Sequence, residues 1–159
     1  MENSVKVGYV SGDISQSNTT VYHAKIDTSV KRLEKDFNDG NIKQAMNDLS
    51  SLLEENKANS AIKYQLLVKK TSFLFALQKH NEAISLVNSI EKNYNEFLDI
   101  AYEEVKLIVL SLQKKEEDFF QIVDKIISES SEDLKRAKFE LMYCLNIGDT
   151  VKAKTIFEI

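Results

Sequence analysis

The chain has 159 residues, of which 43% are hydrophobic, so it is long enough for one domain with a sizeable core. Its formal net charge is −4, with acids and bases interspersed, which argues against nucleic acid or an anionic membrane surface as the main partner. The lack of proline and tryptophan, together with only four glycines, favours helices joined by short connections and argues against an all-β fold.

The cysteine content and the apolar runs bear on where the protein resides. Cys144 is the single cysteine, so no disulfide can form within the chain, and the N-terminus lacks the basic-then-apolar pattern of a signal peptide. The longest nearly apolar run, residues 107–112, is too short to span a bilayer. We therefore expect a cytoplasmic protein without a membrane partner. The low arginine content beside many lysines, asparagines and isoleucines suggests a bacterial source with an AT-rich genome.

Residues 1–26 differ in composition from the rest, because Ser, Thr, Gly, Asn and β-branched residues dominate there. Val5, Val7 and Tyr9 alternate with other residues at the period of a β-strand. A lone two-stranded hairpin is marginal in water. The sequence therefore predicts an N-terminal leader that is flexible or forms a small β-hairpin, followed by a helical domain over residues 27–159.

The predicted helices follow in chain order as four pairs. Side-chain oxygens at Asp27–Ser29 can cap the first helix, Gly40 closes it, and Asn59 with Ser60 can cap the third. The predicted spans after the first helix are 41–56, 60–79, 81–92, 96–114 and 116–128, with a fourth pair starting near residue 130. We expect the third pair, 96–114 with 116–128, to be the most buried. The core face of its first helix is predicted to consist of Phe97, Ile100, Ala101, Tyr102, Val105, Ile108 and Leu112.

A stretch that begins at Gly40 returns three times further along the chain. In it the small residue Ala45 is followed by Leu49 and Leu52, four and seven positions on. We call the position of Ala45 the anchor position, and the anchor residues are Ala45, Ala83, Phe119 and Ala153. Their successive separations in the numbering are 38, 36 and 34. This period indicates a stacked array of helical hairpins, in which a small residue suits a close helix crossing.

The pattern that starts at Gly40, with its echoes at Ala83 and Gly148, resembles the tetratricopeptide-repeat family over residues 27–159. The resemblance implies an all-α fold, an α-solenoid of about four antiparallel helical hairpins, with a concave groove that binds a peptide or partner protein. Phe119 at an anchor position and the missing Pro and Trp depart from the family's pattern. They indicate a divergent, tetratricopeptide-like array.

No constellation in the sequence points to catalysis. His23 and His80 are the only histidines, and neither they nor Cys144 have metal-ligand spacing. No glycine-rich phosphate motif is present, and the acidic run over 116–118 is typical of a solvated helix face. We therefore predict a protein that is not an enzyme, with no catalytic residue, no metal and no cofactor.

Binding is the function that the repeat favours. In the register set by the anchors, polar groove candidates lie on the first helix of each pair. They are Gln65, Ser72, Glu104, Ser111, Lys135 and Lys138. Members of this family that clamp a C-terminal carboxylate use Lys and Asn at such positions, and only Lys135, Lys138 and Asn146 could match part of that clamp. The first hypothesis is a non-catalytic scaffold for protein–protein interaction.

The second hypothesis is a regulatory or sensor domain of a larger bacterial enzyme or signalling protein. The chain stops at Ile159 within a predicted helix whose Ile156 and Phe157 have no following repeat to cover them. We expect either a truncated piece of a longer protein, with a catalytic part beyond residue 159, or an end completed by self-association. The last helix or the N-terminal leader would provide the self-associating surface.

Replacement of Ala45 tests the register. Ala45→Leu should lower the free energy of unfolding by about 1–3 kcal/mol, because a large side chain overpacks a close helix crossing. Urea unfolding measures the change, with Lys43→Leu on the predicted water-facing side of the same helix as control. Unchanged unfolding of the Ala45→Leu variant would contradict the register.

Overall fold

The computed structural model describes residues 26–129 and 134–157, without the side chains at 134, 135 and 157. These residues form helices and their connections, so the described part of the chain is all-α and contains no strand. The predicted leader falls outside the described residues except for Ile26. Ile26 is already helical and buried, so the first helix includes the residues Asp27–Ser29 that were predicted to cap it.

Eight α-helices and one short 3₁₀ helix, Asn95–Phe97, occur among the described residues. The α-helices are α1 (26–38), α2 (Ile42–Glu55), α3 (Ser60–Ala76), α4 (His80–Asn93), α5 (Ile100–Leu112), α6 (Glu116–Ser128), α7 (Leu134–Ile147) and α8 (Thr150–Phe157). The span predicted for α6 is confirmed. α3 ends at Ala76 instead of residue 79, and α5 begins at Ile100 instead of residue 96, because the 3₁₀ helix precedes it.

The described residues group into two compact units, which divide between Leu66 and Leu67 within α3. In the first unit the buried apolar residues come from α1, α2 and the first part of α3. They are Ile26, Leu33, Ala45, Leu49, Ile62, Tyr64 and Leu66. In the second unit one core cluster joins α5, α6 and α7. It consists of Leu107, Leu110, Phe119, Val123, Ile126, Phe139 and Tyr143.

Each even-numbered helix begins two residues after a residue with a left-handed backbone. These turn positions are Gly40 (φ 92°), Gln78 (φ 63°), Lys114 (φ 57°) and Gly148 (φ 82°). At the third turn the N–H of Lys114 donates to the Ser111 carbonyl oxygen at 3.0 Å, and the N–H of Lys115 donates to the Leu110 carbonyl oxygen at 2.9 Å. The other three turns have the same two hydrogen bonds, which define a Schellman motif. The sequence marks Gly40 as the end of a helix and Gly148 as its repeat equivalent, and it marks neither Gln78 nor Lys114.

The anchor residue is the fourth residue of every even-numbered helix, and it is buried in all four. Four positions later, Leu49 in α2, Val87 in α4 and Val123 in α6 are buried as well. Phe119 is fully buried although it is large, and its ring centroid lies 4.9 Å from that of Tyr143 on α7. The predicted anchor register therefore agrees with the burial pattern of these helices.

α5 packs against α4, α6 and α7, and its buried residues cover most of its circumference. They are Tyr102, Val105, Leu107, Val109, Leu110 and Ser111. The prediction that Ile100 and Ala101 belong to the core face is wrong, because both are exposed. α5 starts at Ile100, and the carboxylate of Asp99 caps it by accepting the N–H of Tyr102 at 3.2 Å, which places both residues in the first turn.

Removal of the side chain at a non-glycine turn position should stabilise the protein. We expect Lys114→Gly to raise the free energy of unfolding by on the order of 1 kcal/mol, because glycine adopts positive φ without the steric cost that lysine bears. Gly148→Ala should lower it by a similar amount, through backbone strain alone, since a Cβ there would meet no atom within 4 Å. Urea unfolding of both variants measures this. Equal stability of Lys114→Gly and wild type would show that the positive φ of Lys114 carries no steric cost.

Burial also acts on the ionisation of Cys144, which lies on α7 and is 2% exposed. Burial raises the pKa of its thiol above the ordinary value of 9.0; Lys152 lowers this pKa, and Asp149 and Glu140 raise it. The unfolded chain releases the thiol proton near pH 9.0, whereas the folded chain keeps it to higher pH. The stability that this gives is present below pH 9.0 and is lost as the pH rises through the pKa of the folded state.

Alkaline unfolding should therefore distinguish wild type from Cys144→Ala. Above pH 9.0 the free energy of unfolding of wild type should fall more steeply than that of the variant, by at most about 1.4 kcal/mol per pH unit. Urea unfolding at pH 7 and pH 10 measures the free energy of unfolding of both proteins. The difference between wild type and Cys144→Ala isolates the contribution of the thiol, because the two proteins share every other titrating group. Parallel pH profiles would show that the folded thiol ionises like the unfolded one.

Candidate functional site

The groove residues predicted from the sequence differ in accessibility. Gln65 is exposed in the first unit, and Glu104 and Lys138 are exposed in the second. Ser72 is half-buried, and its hydroxyl donates to the Val68 carbonyl oxygen at 3.4 Å. The side chain of Lys135 lies outside the described residues. Of the predicted set, Glu104 and Lys138 are therefore the charged groups that the second unit presents to solvent.

Ser111 takes part in packing and is not accessible. It is fully buried on α5, where its hydroxyl donates to the Ile108 carbonyl oxygen at 2.8 Å. The same hydroxyl accepts a hydrogen bond from the Asn146 amide on α7 at 2.7 Å. Ser111 and Asn146 thus connect α5 to α7, and a ligand on the surface of α5 does not meet Ser111. This corrects the prediction that Ser111 faces a groove.

Glu104 and Lys138 occupy equivalent positions on successive odd-numbered helices. Each lies ten residues before the turn position that ends its helix, so their separation equals that of the anchors Phe119 and Ala153. The neighbouring Glu103 forms an ion pair with Lys125 of α6 at 3.0 Å, and this hydrogen bond raises the pKa of Lys125. The second unit therefore presents one acidic and one basic side chain at matching places on α5 and α7.

An open cleft of about 620 Å³ lies on α6, α7 and α8. Its lining residues are Glu116, Glu117, Phe120, Gln121, Asp124, Arg136, Glu140 and Lys152. Of the predicted groove residues whose side chains the structure describes, none lines this cleft, and the sequence predicts a solvated face for the acidic run over 116–118. One signal could have drawn attention to it, because Arg136 is one of only two arginines in the chain.

Arg136 organises the cleft. Its guanidinium pairs with Asp124 of α6, and its Nε also forms an ion pair with Oε1 of Glu140 on its own helix at 3.2 Å. It also lies over the ring of Phe120, 5.5 Å from the centroid, which is the geometry of a cation–π contact. The remaining carboxylates of the cleft face solvent, so the arrangement can exchange ion pairs with a polar ligand. It offers no nucleophile held by a base.

Two further clefts are each confined to one unit. One in the first unit lies between α1 and α2, and its polar lining includes Arg32, Gln44 and Asp48. One in the second unit lies between α3 and α4, and Lys70 and Glu82 are its charged residues. Both mix apolar and polar side chains, and each has fewer titratable residues in its lining than the cleft organised by Arg136. They are weaker candidates than the cleft organised by Arg136.

Among the described residues, His80 is the one histidine and Cys144 the one cysteine. His23 falls outside the described residues. His80 begins α4, its Nε2 lies 3.1 Å from Oε1 of Gln78, and its ring centroid is 6.0 Å from that of Phe75. Among the described residues, no three His, Cys, Asp or Glu side chains are arranged to hold a metal ion.

No helix in the described part of the chain combines the length and apolar character needed to cross a bilayer.

No protein-family model, curated protein or solved structure matches this chain. The resemblance to tetratricopeptide repeats therefore depends on the periodic residues of the sequence, and the functional conclusion depends on the surfaces described above.

Proposed function

We propose that this chain is a non-catalytic protein–protein interaction module, built as a divergent tetratricopeptide-like α-solenoid of four helical hairpins. One observation carries the proposal: the same backbone turn, followed five positions later by a buried anchor, occurs four times at nearly regular intervals. Helix pairs repeated at this period bury their apolar faces by stacking on their neighbours. The stacking creates an extended surface suited to holding a peptide.

Glu104 and Lys138 are the proposed contacts of the bound segment in the second unit. They are exposed at equivalent places on α5 and α7, which supports a groove that runs across successive odd-numbered helices. An extended peptide or a partner helix crossing these helices would meet an acidic and then a basic side chain. Ion pairs at such sites give orientation and specificity more than affinity.

The free cysteine, Cys144, supports a reducing compartment such as the cytoplasm.

A charge exchange in this groove tests the proposal. In the variant Glu104→Lys/Lys138→Glu both charges are reversed, and the net charge of −4 is unchanged. Affinity capture from a source-cell lysate, measured by quantitative mass spectrometry, should enrich a specific protein with wild type. With the variant, the enrichment of that protein should be at least about tenfold lower, because two favourable ion pairs become two repulsive contacts.

The matched control reverses one acid and one base elsewhere in the second unit. Glu82→Lys/Lys92→Glu on α4 changes two exposed residues and also preserves the net charge. It should retain the captured protein. The groove proposal fails if both double variants behave like wild type, or if both lose the captured protein equally. Substrate turnover by the purified chain would contradict the non-catalytic function.

A further inference from the structure

α7 and α8 repeat α5 and α6 at a constant offset along the chain. The turn positions Lys114 and Gly148 are related by this offset, and so are the anchors Phe119 and Ala153. Because the backbone turn and the anchor coincide, side chains related by the same offset can be compared one by one. The comparison shows which surface is covered in one helix pair and open in the other.

On α5 and α6 that surface is covered by α7. Leu107 and Ser111 of α5 are both fully buried. Phe120 of α6 is half-buried, with its ring centroid 5.7 Å from that of Tyr143 and with the guanidinium of Arg136 over it. α7 therefore lies against a surface to which both preceding helices contribute, with an aromatic ring on one side and the Ser111 hydroxyl on the other.

The equivalent surface of α7 and α8 is open. Leu145, which corresponds to Ser111, is 57% exposed, and Leu141, which corresponds to Leu107, is half-buried. On α8, Lys154, which corresponds to Phe120, is exposed. Val151 is 78% exposed and adds an apolar side chain next to this surface, although its counterpart on α6, Glu117, is exposed as well. We call Leu141, Leu145 and Lys154, together with the adjacent Val151, the α7–α8 surface. Large apolar side chains grouped in water in this way are typical of an interaction site.

We propose that the α7–α8 surface binds an amphipathic helix of a partner protein, in the place that α7 occupies on α5 and α6. The differences between the two surfaces specify the chemistry of that helix. Where α7 presents the Asn146 amide to Ser111, the partner presents an apolar residue to Leu145. Where α7 presents Arg136 to Phe120, the partner presents a carboxylate to Lys154.

A second copy of this chain would suit the surface poorly if it offered its own α7. In each copy Arg136 already pairs with Asp124, and the Asn146 amide already donates to Ser111. In the new place Arg136 would meet Lys154, and the Asn146 amide would meet Leu145. The first contact is repulsive, and the second buries an amide without a hydrogen-bond partner. Lys154 is exposed on α8, which favours an acidic residue on the partner helix. This surface adjoins the groove proposed above, because Lys138 precedes Leu141 by three positions and Leu145 by seven on the same face of α7.

Two synthetic peptides test the proposal with the full chain. Both carry the α7 sequence, residues 134–147, with Asn146→Leu to suit Leu145 and Cys144→Ser to prevent disulfides. The acidic peptide also carries Arg136→Glu, and the basic peptide keeps Arg136. Fluorescence anisotropy with labelled peptides measures each affinity at low salt. Wild type should bind the acidic peptide about three- to tenfold more tightly than the basic one, with a preference that salt weakens.

Variants of the chain assign the binding to this surface. Lys154→Glu should reverse the preference between the two peptides, and Leu145→Ser should weaken both by at least about tenfold. Lys92→Glu, an equal charge change on the exposed face of α4, should leave both affinities unchanged. So should Glu104→Lys, which changes only the α5 residue of the proposed groove and makes a failure of the groove distinguishable from a failure of this site. Thermal unfolding checks that each variant remains folded.

Three results would overturn the inference. The first is equal affinity of wild type for the two peptides, and the second is no saturable binding of either at millimolar concentration. The third is a dimer of wild type in sedimentation that Leu145→Ser dissociates, since a second copy would then occupy the surface. A reversed preference with Lys154→Glu, in a chain whose unfolding is unchanged, supports the carboxylate contact.

Discussion

Two backbone hydrogen bonds at the end of each odd-numbered helix determine how the next helix starts. They form when one residue adopts positive φ, and this happens at Gly40, Gln78, Lys114 and Gly148. The even-numbered helix then begins two residues later and its anchor follows three residues after that, whatever side chain occupies the turn. Because the turn belongs to the backbone, the repeat persists where the sequence pattern weakens, and an anchor as large as Phe119 is buried in the same place as an alanine.

Local patterns made the helices and the anchors predictable, whereas features that depend on distant residues were not. The spacing of Ala45 and Leu49 indicates a buried helix face because both residues lie on the same helix. Ser111 gives no such signal: it is polar, and the Asn146 amide that it meets lies 35 residues away. The positive φ of Lys114 was also missed, since the sequence marks such turns only where glycine occupies them.

The candidate surfaces of the second unit differ in charge although they share a helix. The cleft on α6, α7 and α8 is rich in carboxylates, which Arg136 and Lys152 only partly balance. The α7–α8 surface instead carries Lys154 beside exposed leucine and valine. The net charge of −4 conceals this separation, because opposite charges cancel in the sum. The acidic cleft forms because α7 packs on α6, where Arg136 pairs with Asp124.

The hydrogen bond between Ser111 and Asn146 has a consequence for misfolding. α5 and α7 pack mainly through aliphatic and aromatic side chains, whose burial is not directional. A shift of α7 by one helical turn would separate the amide from the hydroxyl. The loss, about 0.5–1.5 kcal/mol, adds to the cost of the disrupted packing in every slipped alignment. This polar pair therefore favours the native alignment of the two helices.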